Sequence, residues 1–323
     1  MRNGWAVIVS HNSGAAINAC LLAVLADPSW NALVVDNASS DSTTRYAAQI
    51  SGRVRLVRNQ VNRGFAAAAN QGHSLAAGPI TVLLNPDALA CPGALQKLAA
   101  AFDDPAVGAV GGALLDEQGR TQRGFQFRRF PTLGAMLCEV LLVNRIWRGN
   151  PWNRQYRCLD LDDSQPQFVE QPAGACLAVR REAWESVGGF DEGFYPVWFE
   201  DVDFCRRLAN RGWKIAYRPD ARFSHVGGHS VSKLPFRDRQ SYWYRNMLRY
   251  FGKHHGRLKT AILRTGILAG LTLRAALSLT GFGPRSVSIR EALRGYIHAA
   301  RTALQRGDRP GAARQHSVGV APV

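Results

Sequence analysis

Residues 5–12 read Trp5-Ala6-Val7-Ile8-Val9-Ser10-His11-Asn12, and the same pattern returns at Ala32-Leu33-Val34-Val35-Asp36-Asn37 and at Ile80-Thr81-Val82-Leu83-Leu84-Asn85-Pro86-Asp87. Each is a short apolar, β-branched run that ends abruptly in polar residues, the signature of a buried strand running out into a loop. Helical stretches separate them: Ala15–Ala26 after the first, another ending at Leu75–Ala77, and Gly93–Phe102 after Pro92, a good first-turn residue. Arg53–Arg58 and Val107–Leu115 complete the set of strands. Strands alternating with helices imply a doubly wound α/β fold with a mainly parallel sheet flanked by helices. In such sheets ligands bind beyond the carboxyl ends of the strands, which is where Ser10-His11-Asn12, Asp36-Asn37 and Asn85-Pro86-Asp87 fall.

Working outward, the middle of the chain is less regular. Thr121–Pro131 is Arg-rich and loop-like, Leu133–Trp147 reads as a helix, and Asn150–Gln171 is polar with several prolines. Order returns with a strand-like Ala173–Arg180 and a helix near Arg181–Val187 stopped by Gly188-Gly189. A second helix spans Glu200 to Asn210, and Lys214–Tyr217 and Ala221–Val226 read as short strands. Beyond them Ile262–Phe282 is apolar but interrupted by Arg264 and Arg274. A central Arg costs about 2.5–3.5 kcal/mol on insertion scales, which argues against a spanning helix. A basic helix on a membrane surface and a helix packed on the preceding domain both remain open.

The chain has 323 residues, 46% of them hydrophobic, which fits a globular protein with a substantial core. It carries 40 Lys and Arg against 24 Asp and Glu, formally +16. From Arg249 onward 13 basic residues face 2 acidic ones, so +11 of that charge sits in the last quarter. A basic tail on an ordinary domain calls for an acidic partner surface. Nucleic acid is disfavoured, because Tyr250, Phe251, Phe282 and Tyr296 are too far apart for stacking platforms, which leaves an anionic membrane. No signal core follows Met1, and the six scattered cysteines show no metal or redox spacing, so a reducing cytoplasm is expected. A dinucleotide-dependent oxidoreductase is disfavoured because no Gly-x-Gly-x-x-Gly follows the first strand.

Four pieces occur in fixed order: Val9-Ser10-His11-Asn12; Val35-Asp36-Asn37-Ala38-Ser39-Ser40-Asp41; Asn62-Arg63-Gly64-Phe65 running on through Asn70 to Gly72; and Leu83-Leu84-Asn85-Pro86-Asp87. Together they resemble the nucleotide-sugar half of inverting family-2 glycosyltransferases, whose fold is called GT-A. The wording is closest to the bacterial rhamnosyltransferase-like branch. Pro172-Ala173-Gly174-Ala175-Cys176, Val187-Gly188-Gly189-Phe190-Asp191-Glu192 and Trp198-Phe199-Glu200-Asp201-Val202-Asp203 resemble its acceptor half. The likeness covers about residues 5–250. It implies a glycosyltransferase domain over residues 1–235, with a nucleotide-sugar half at 1–115 and an acceptor half at 116–235. A basic helical extension, expected to associate with the membrane, would follow at 236–323.

The resemblance also implies roles. Ser10, Asn12, Asp36, Asn37, Asp41, Asn62, Gly64, Phe65, Asn70 and Asn85 would bind the donor nucleotide. Asp87 stands where the family carries a metal-binding Asp-x-Asp, here with Asn85 in the first place, and His225 would be a further ligand. The cation would be Mg²⁺ or Mn²⁺, neutralising the diphosphate leaving group. Asp201 would be the general base that single displacement requires, with Glu200 beside it. Gly174, Asp203, His229 and Ser230 are weaker candidates for acceptor or diphosphate contacts. Read alone, the same residues can serve as turn formers, helix caps and an i,i+4 ion pair between Asp203 and Arg207. The implied donor is dTDP-L-rhamnose, with UDP-galactofuranose, UDP-GlcNAc and UDP-glucose as alternatives. The implied acceptor is a polyprenyl-diphosphate-linked or other cell-envelope glycan, met by an enzyme peripheral on the cytoplasmic face of the membrane.

Overall fold

A computed structural model describes residues 4–50, 52–227 and 233–305. The expected strands form as β1 (Gly4–Ser10), β2 (Trp30–Asn37), β3 (Val54–Asn59) and β4 (Ile80–Leu84), followed by β5 (Ala88–Ala90), β6 (Val107–Leu115) and β7 (Phe127–Arg128). Next come β8 (Gln167–Phe168), β9 (Gln171–Pro172), β10 (Cys176–Arg180) and β11 (Lys214–His225). The main sheet runs β3-β2-β1-β4-β10-β6-β11-β5, with β8 beside β11, while β7 and β9 pair separately. β10 enters the middle of the sheet antiparallel to both β4 and β6, and β5 and β8 run antiparallel to β11, while the remaining pairs are parallel. The two short strands expected at 214–226 are one strand, bent by a register shift between Arg218 and Arg222.

The sheet is covered on both faces, which explains why its strands read as continuous apolar runs. Val7, Leu33, Val35 and Leu83 belong to one buried cluster; Ala6, Ile8, Ala32, Val34 and Val82, one residue out of phase, belong to the other. On the second face lie α1 (Ala16–Leu25), α2 (Thr43–Ala48) and, after the α3 helix (Phe65–Leu75) on the first face, α4 (Ala94–Ala100). Gly72 lets α3 settle on β1, since a Cβ there would lie 2.3 Å from Val7 Cγ1.

The helix expected over 133–147 breaks in two. α5 (Leu133–Val140) ends and α6 (Val143–Ile146) starts across Leu142, which holds a left-handed backbone at φ 64°. The polar segment after it contains α7 (Pro151–Tyr156), capped by the Asn150 side chain and started by Pro151. α8 (Arg181–Val187) and α9 (Glu200–Asn210) form as expected. The C-terminal helices are α10 (Phe236–His254), α11 (Gly256–Leu279) and α12 (Ile289–Leu304). They are no loose appendage: Tyr250, Phe251, Leu263, Ile267, Tyr296 and Ala299 join the same buried cluster as the first sheet face. Among the described residues α11 is the one helix long and apolar enough to cross a membrane. One side of it packs instead on α5, where Gly270 leaves room for the Val140 carbonyl. Its Arg274 guanidinium donates to the carbonyls of Val140, Glu139 and Gly270.

Candidate active site

The ends of β1 and β2 are tied together by their own polar residues. Ser10 Oγ donates to Asp36 Oδ1 at 3.2 Å, and Asp36 Oδ2 accepts from the Ser39 backbone at 3.1 Å. Asn12, at φ 52°, accepts from the Ser40 N–H at 2.8 Å through its side chain. Burial alone would raise Asp41, but hydrogen bonds from the hydroxyl and backbone of Thr43 outweigh it and lower its pKa. Lys233 reaches the Asn12 carbonyl and so brings a cation to the same rim.

Three of the asparagines expected at the nucleotide are occupied by the protein. Asn37 donates to Asn62 Oδ1 (2.8 Å) and the Gly64 carbonyl (3.2 Å), and accepts from Asn59 (3.2 Å) and the Arg63 N–H (3.0 Å). That uses all four of its hydrogen-bonding positions. Asn62 Oδ1 also takes the Gly64 N–H. Asn70 spans to the Phe190 backbone at both its carbonyl and amide, and to Glu192. These side chains fix the 59–72 segment. Gly64 is likewise required by φ 81° and by Tyr195 and Pro196, 2.8 and 3.2 Å from where its Cβ would be. Phe65 packs obliquely on Phe190, and its N–H is held by the Pro196 carbonyl.

Asp87 and His225 do meet. β5 pairs with β11 so that His225 lies opposite Ala88, and His225 Nε2 stands 3.8 Å from Asp87 Oδ1. Gln122, which carried no signal in the sequence, sets the ring. Its Nε2 donates to the His225 carbonyl at 2.5 Å, which turns its Oε1 to His225 Nδ1 at 3.2 Å. Nδ1 is then the protonated nitrogen, and Nε2 presents a lone pair on the Asp87 side. Phe125 stacks on the other face, with centroids 5.6 Å apart. Burial lowers the His225 pKa against the pull of Asp87, favouring the neutral ring. Nε2 is buried without a hydrogen-bond partner, a state that suits a metal ligand. Among the described residues no three His, Cys, Asp or Glu side chains cluster to hold a metal. Asp87 and His225 could supply two ligands to a cation, with oxygens of a bound ligand completing its coordination.

Asp201 sits at the first turn of α9. Its Oδ2 accepts from the Gly174 N–H at 3.0 Å and Gln171 Nε2 at 3.3 Å, and its Oδ1 from the Val202 N–H at 2.8 Å. Burial nevertheless raises its pKa above the usual aspartate value. Glu200 is buried with Oε2 unpartnered, and burial, then the neighbouring Asp201, push it well above the usual glutamate value. One short link joins this pair to the cation site: Gly174 holds Asp201, and the next carbonyl, Ala175, accepts the Asn85 N–H at 3.0 Å. Gly174 is thus a partner of the carboxylate.

The turn entering α9 is strained, with Trp198 at φ 78° and Phe199 at φ 71°. α10 supports it. Trp243 meets both rings, and buried Asn246 donates to the carbonyls of Val197 and Tyr195. Asp203 points away from the site into a buried ion cluster with Arg207 (2.8 Å), Lys253 (2.8 Å) and His254 (2.7 Å). It is therefore an anchor for α10. His229 and Ser230 lie outside the described residues.

Sequence comparison supplies relatives. The family described as Glycosyl transferase family 2 matches residues 5–187, and Glycosyl transferase family group 2 matches residues 153–296. A Mycobacterium tuberculosis protein named N-acetylglucosaminyl-diphospho-decaprenol L-rhamnosyltransferase is 32% identical over 246 residues, covering 68% of this chain and 78% of its own. Among solved structures, the mannosyltransferase PcManGT from Pyrobaculum calidifontis, in complex with GDP-Man and Mn²⁺, aligns with TM-score 0.56 and 19% identity over 94% of this chain and 87% of that one. Residues 1–349 of S. aureus TarS in complex with UDP-GlcNAc align with TM-score 0.52 and 15% identity over 94% and 83%. At such identities these two speak to the fold, which is theirs: a mainly parallel sheet between helical layers.

Proposed function

The chain belongs to glycosyl transferase family 2, in its rhamnosyltransferase-like branch, and from that premise we propose that it moves L-rhamnose from dTDP-L-rhamnose, with inversion, to a hydroxyl of a polyprenyl-diphosphate-linked glycan. The observation that carries the reading is the link through Gly174 and Ala175, which ties Asp201, a carboxylate of raised pKa, to Asn85 at the strand end that leads to Asp87. The relative named for L-rhamnose transfer to a lipid-linked N-acetylglucosamine supports the choice of donor and acceptor.

In this mechanism Asp201 takes the proton of the acceptor hydroxyl as its oxygen attacks the anomeric carbon and the sugar–diphosphate bond breaks. Its raised pKa makes it a stronger base than an ordinary aspartate, and the Gly174 and Val202 N–H groups hold it in place. Glu200 keeps its proton where an ordinary glutamate would ionise, sparing Asp201 a second buried negative charge. Asp87 and His225 would hold Mg²⁺ or Mn²⁺, which when bound neutralises charge on the departing diphosphate. Asp36 and Asp41, at the end of β2 and just beyond, lie on the side assigned to the nucleoside.

In this reading residues 1–115 hold the donor and 116–235 the acceptor, with α10 bracing the turn that enters α9. The basic extension from 236 holds the protein on the anionic cytoplasmic face, where a lipid-linked acceptor resides. The test is a panel of dTDP-L-rhamnose, UDP-galactofuranose, UDP-GlcNAc and UDP-glucose, each with a polyprenyl-diphosphate-linked N-acetylglucosamine and Mn²⁺. Acceptor-dependent release of dTDP is expected from the first alone. Release of UDP from another donor would reassign the donor, and release from none would overturn the acceptor.

A further inference from the structure

The segment between α5 and α7 shows its apolar side chains to solvent. Ile146 is 91% exposed, Trp147 54% and Trp152 48%. Flexible loops often expose such residues singly, but this one is built to do so. Leu142 turns the chain left-handed, so α6 leaves the line of α5. Fully buried Asn150 then staples the tip: its Nδ2 donates to Asn144 Oδ1 (2.8 Å) and the Trp147 carbonyl (2.7 Å), and its Oδ1 takes the Asn153 N–H (2.8 Å). Asn144 is tied to Glu139 and Asn153 to the Arg148 carbonyl. A buried polar network that holds an isoleucine and a tryptophan out in water stabilises a surface with no use in solution.

The charge around it says what covers it. Arg145, Arg148 and Arg154 are exposed there, and no carboxylate occurs between Glu139 and Asp160. Tryptophan with arginine at the rim of an aliphatic tip is the composition of an interfacial anchor, the rings at headgroup level and the guanidiniums on anionic lipid. The tip also adjoins the extension, because Arg274 of α11 grips the Glu139 and Val140 carbonyls only a few residues before α6. Between the end of α5, which leads into the tip, and the turn entering α9 lies a cavity of about 280 Å³, lined by Val140 and Arg274 on one side and Trp198 and Trp243 on the other.

We propose that Arg145–Trp152 is a membrane-inserting tip that engages an anionic bilayer and presents the Trp198 turn to a substrate emerging from it. The purpose, though not the insertion, rests on the lipid-linked acceptor proposed above. The test is flotation of the full chain with vesicles of phosphatidylcholine and phosphatidylglycerol, comparing wild type with Ile146→Ser/Trp147→Ser. Losing the burial of one large apolar side chain weakens partition about tenfold or more, so the double variant should float at least tenfold less well, with its melting temperature kept. The ratio between the two should persist in 0.5 M salt (about 4 Å screening length), which weakens the basic contribution of both proteins alike. Equal flotation would overturn the tip while leaving attachment by the extension standing. Failure of the wild type to float would overturn both. Self-association of the wild type that the double change abolishes would assign the tip to a protein interface and overturn the membrane assignment.

Discussion

Asp201→Asn separates proton transfer from architecture. Asp201 receives three hydrogen bonds, one on Oδ1 from Val202 and two on Oδ2 from Gly174 and Gln171. Asparagine has one oxygen, so its NH₂ must face either the Val202 N–H or the Gly174–Gln171 pair. An unsatisfied buried donor costs about 1–3 kcal/mol, partly offset because the variant no longer buries a carboxylate that burial disfavours. At about 2–4 °C per kcal/mol for a chain of roughly this size, the melting temperature should fall by only a few degrees. Turnover should fall much further, by about 10²–10⁴, the usual cost of removing a general base. The assay is steady-state transfer with donor affinity measured separately by calorimetry. Nearly normal donor binding, a modest thermal shift and loss of turnover support Asp201 as the base. The pH profile adds a check: wild-type kcat should drop as pH falls through a pKa above the usual aspartate value, and the variant's residual rate should lack that limb. Turnover in Asp201→Asn within a few-fold of wild type would refute the assignment.

Glu200→Gln should be mild in kcat and should change stability with pH. A folded-state pKa raised above 4.5 contributes stability at low pH that is lost as pH rises toward the folded value. Glutamine removes that loss, so the melting temperature of the variant minus that of wild type should grow as pH climbs from about 4.5; a constant difference contradicts a buried, protonated Glu200. Gln122→Leu should weaken Mn²⁺ binding about 10–100-fold in the presence of dTDP, as loss of a group that orients a metal ligand does, and His225→Ala at least as much; unchanged affinity by electron paramagnetic resonance titration would exclude both. Asp203→Asn should destabilise by about 3 kcal/mol in denaturant unfolding, the low end for breaking a buried ion pair since Lys253 keeps a third of its side chain exposed; a change under 0.5 kcal/mol would mean the cluster does not anchor α10.

The sequence displayed the fold where local pattern and tertiary burial agree. β1, β2, β4 and β6 are apolar through their middles because helices cover both faces, and α8 and α9 carry clear starts and stops. The entry of β10 between β4 and β6 left no local trace, since strand order is decided by distant packing. α10 was legible only as part of a basic helical extension: its surface is rich in arginine, and its buried side is a mixture of Tyr, Phe and Asn whose partners lie in α12 and the 191–203 segment. At the site, residue types showed where chemistry could sit but not which way each side chain turns. Asn37, Asn62 and Asn70 are as suited to a nucleotide as to a backbone, and only their hydrogen bonds reveal that they hold the chain. Gln122 and Gln171, glutamines in loop-like sequence, had no pattern to mark them, although one orients His225 and the other touches Asp201.

The proposed single displacement, by an acceptor hydroxyl that Asp201 deprotonates, would invert the anomeric centre, so the stereochemistry of the product is the most direct measurement. Wild-type protein should be given dTDP-L-rhamnose carrying ¹³C at the anomeric carbon, Mn²⁺ and a polyprenyl-diphosphate-linked N-acetylglucosamine, and the new linkage read by the one-bond C–H coupling. The expected product is a rhamnoside of anomeric configuration opposite to the donor's. A rhamnoside with the donor's own configuration would contradict a general-base role for Asp201 and the single displacement built on it.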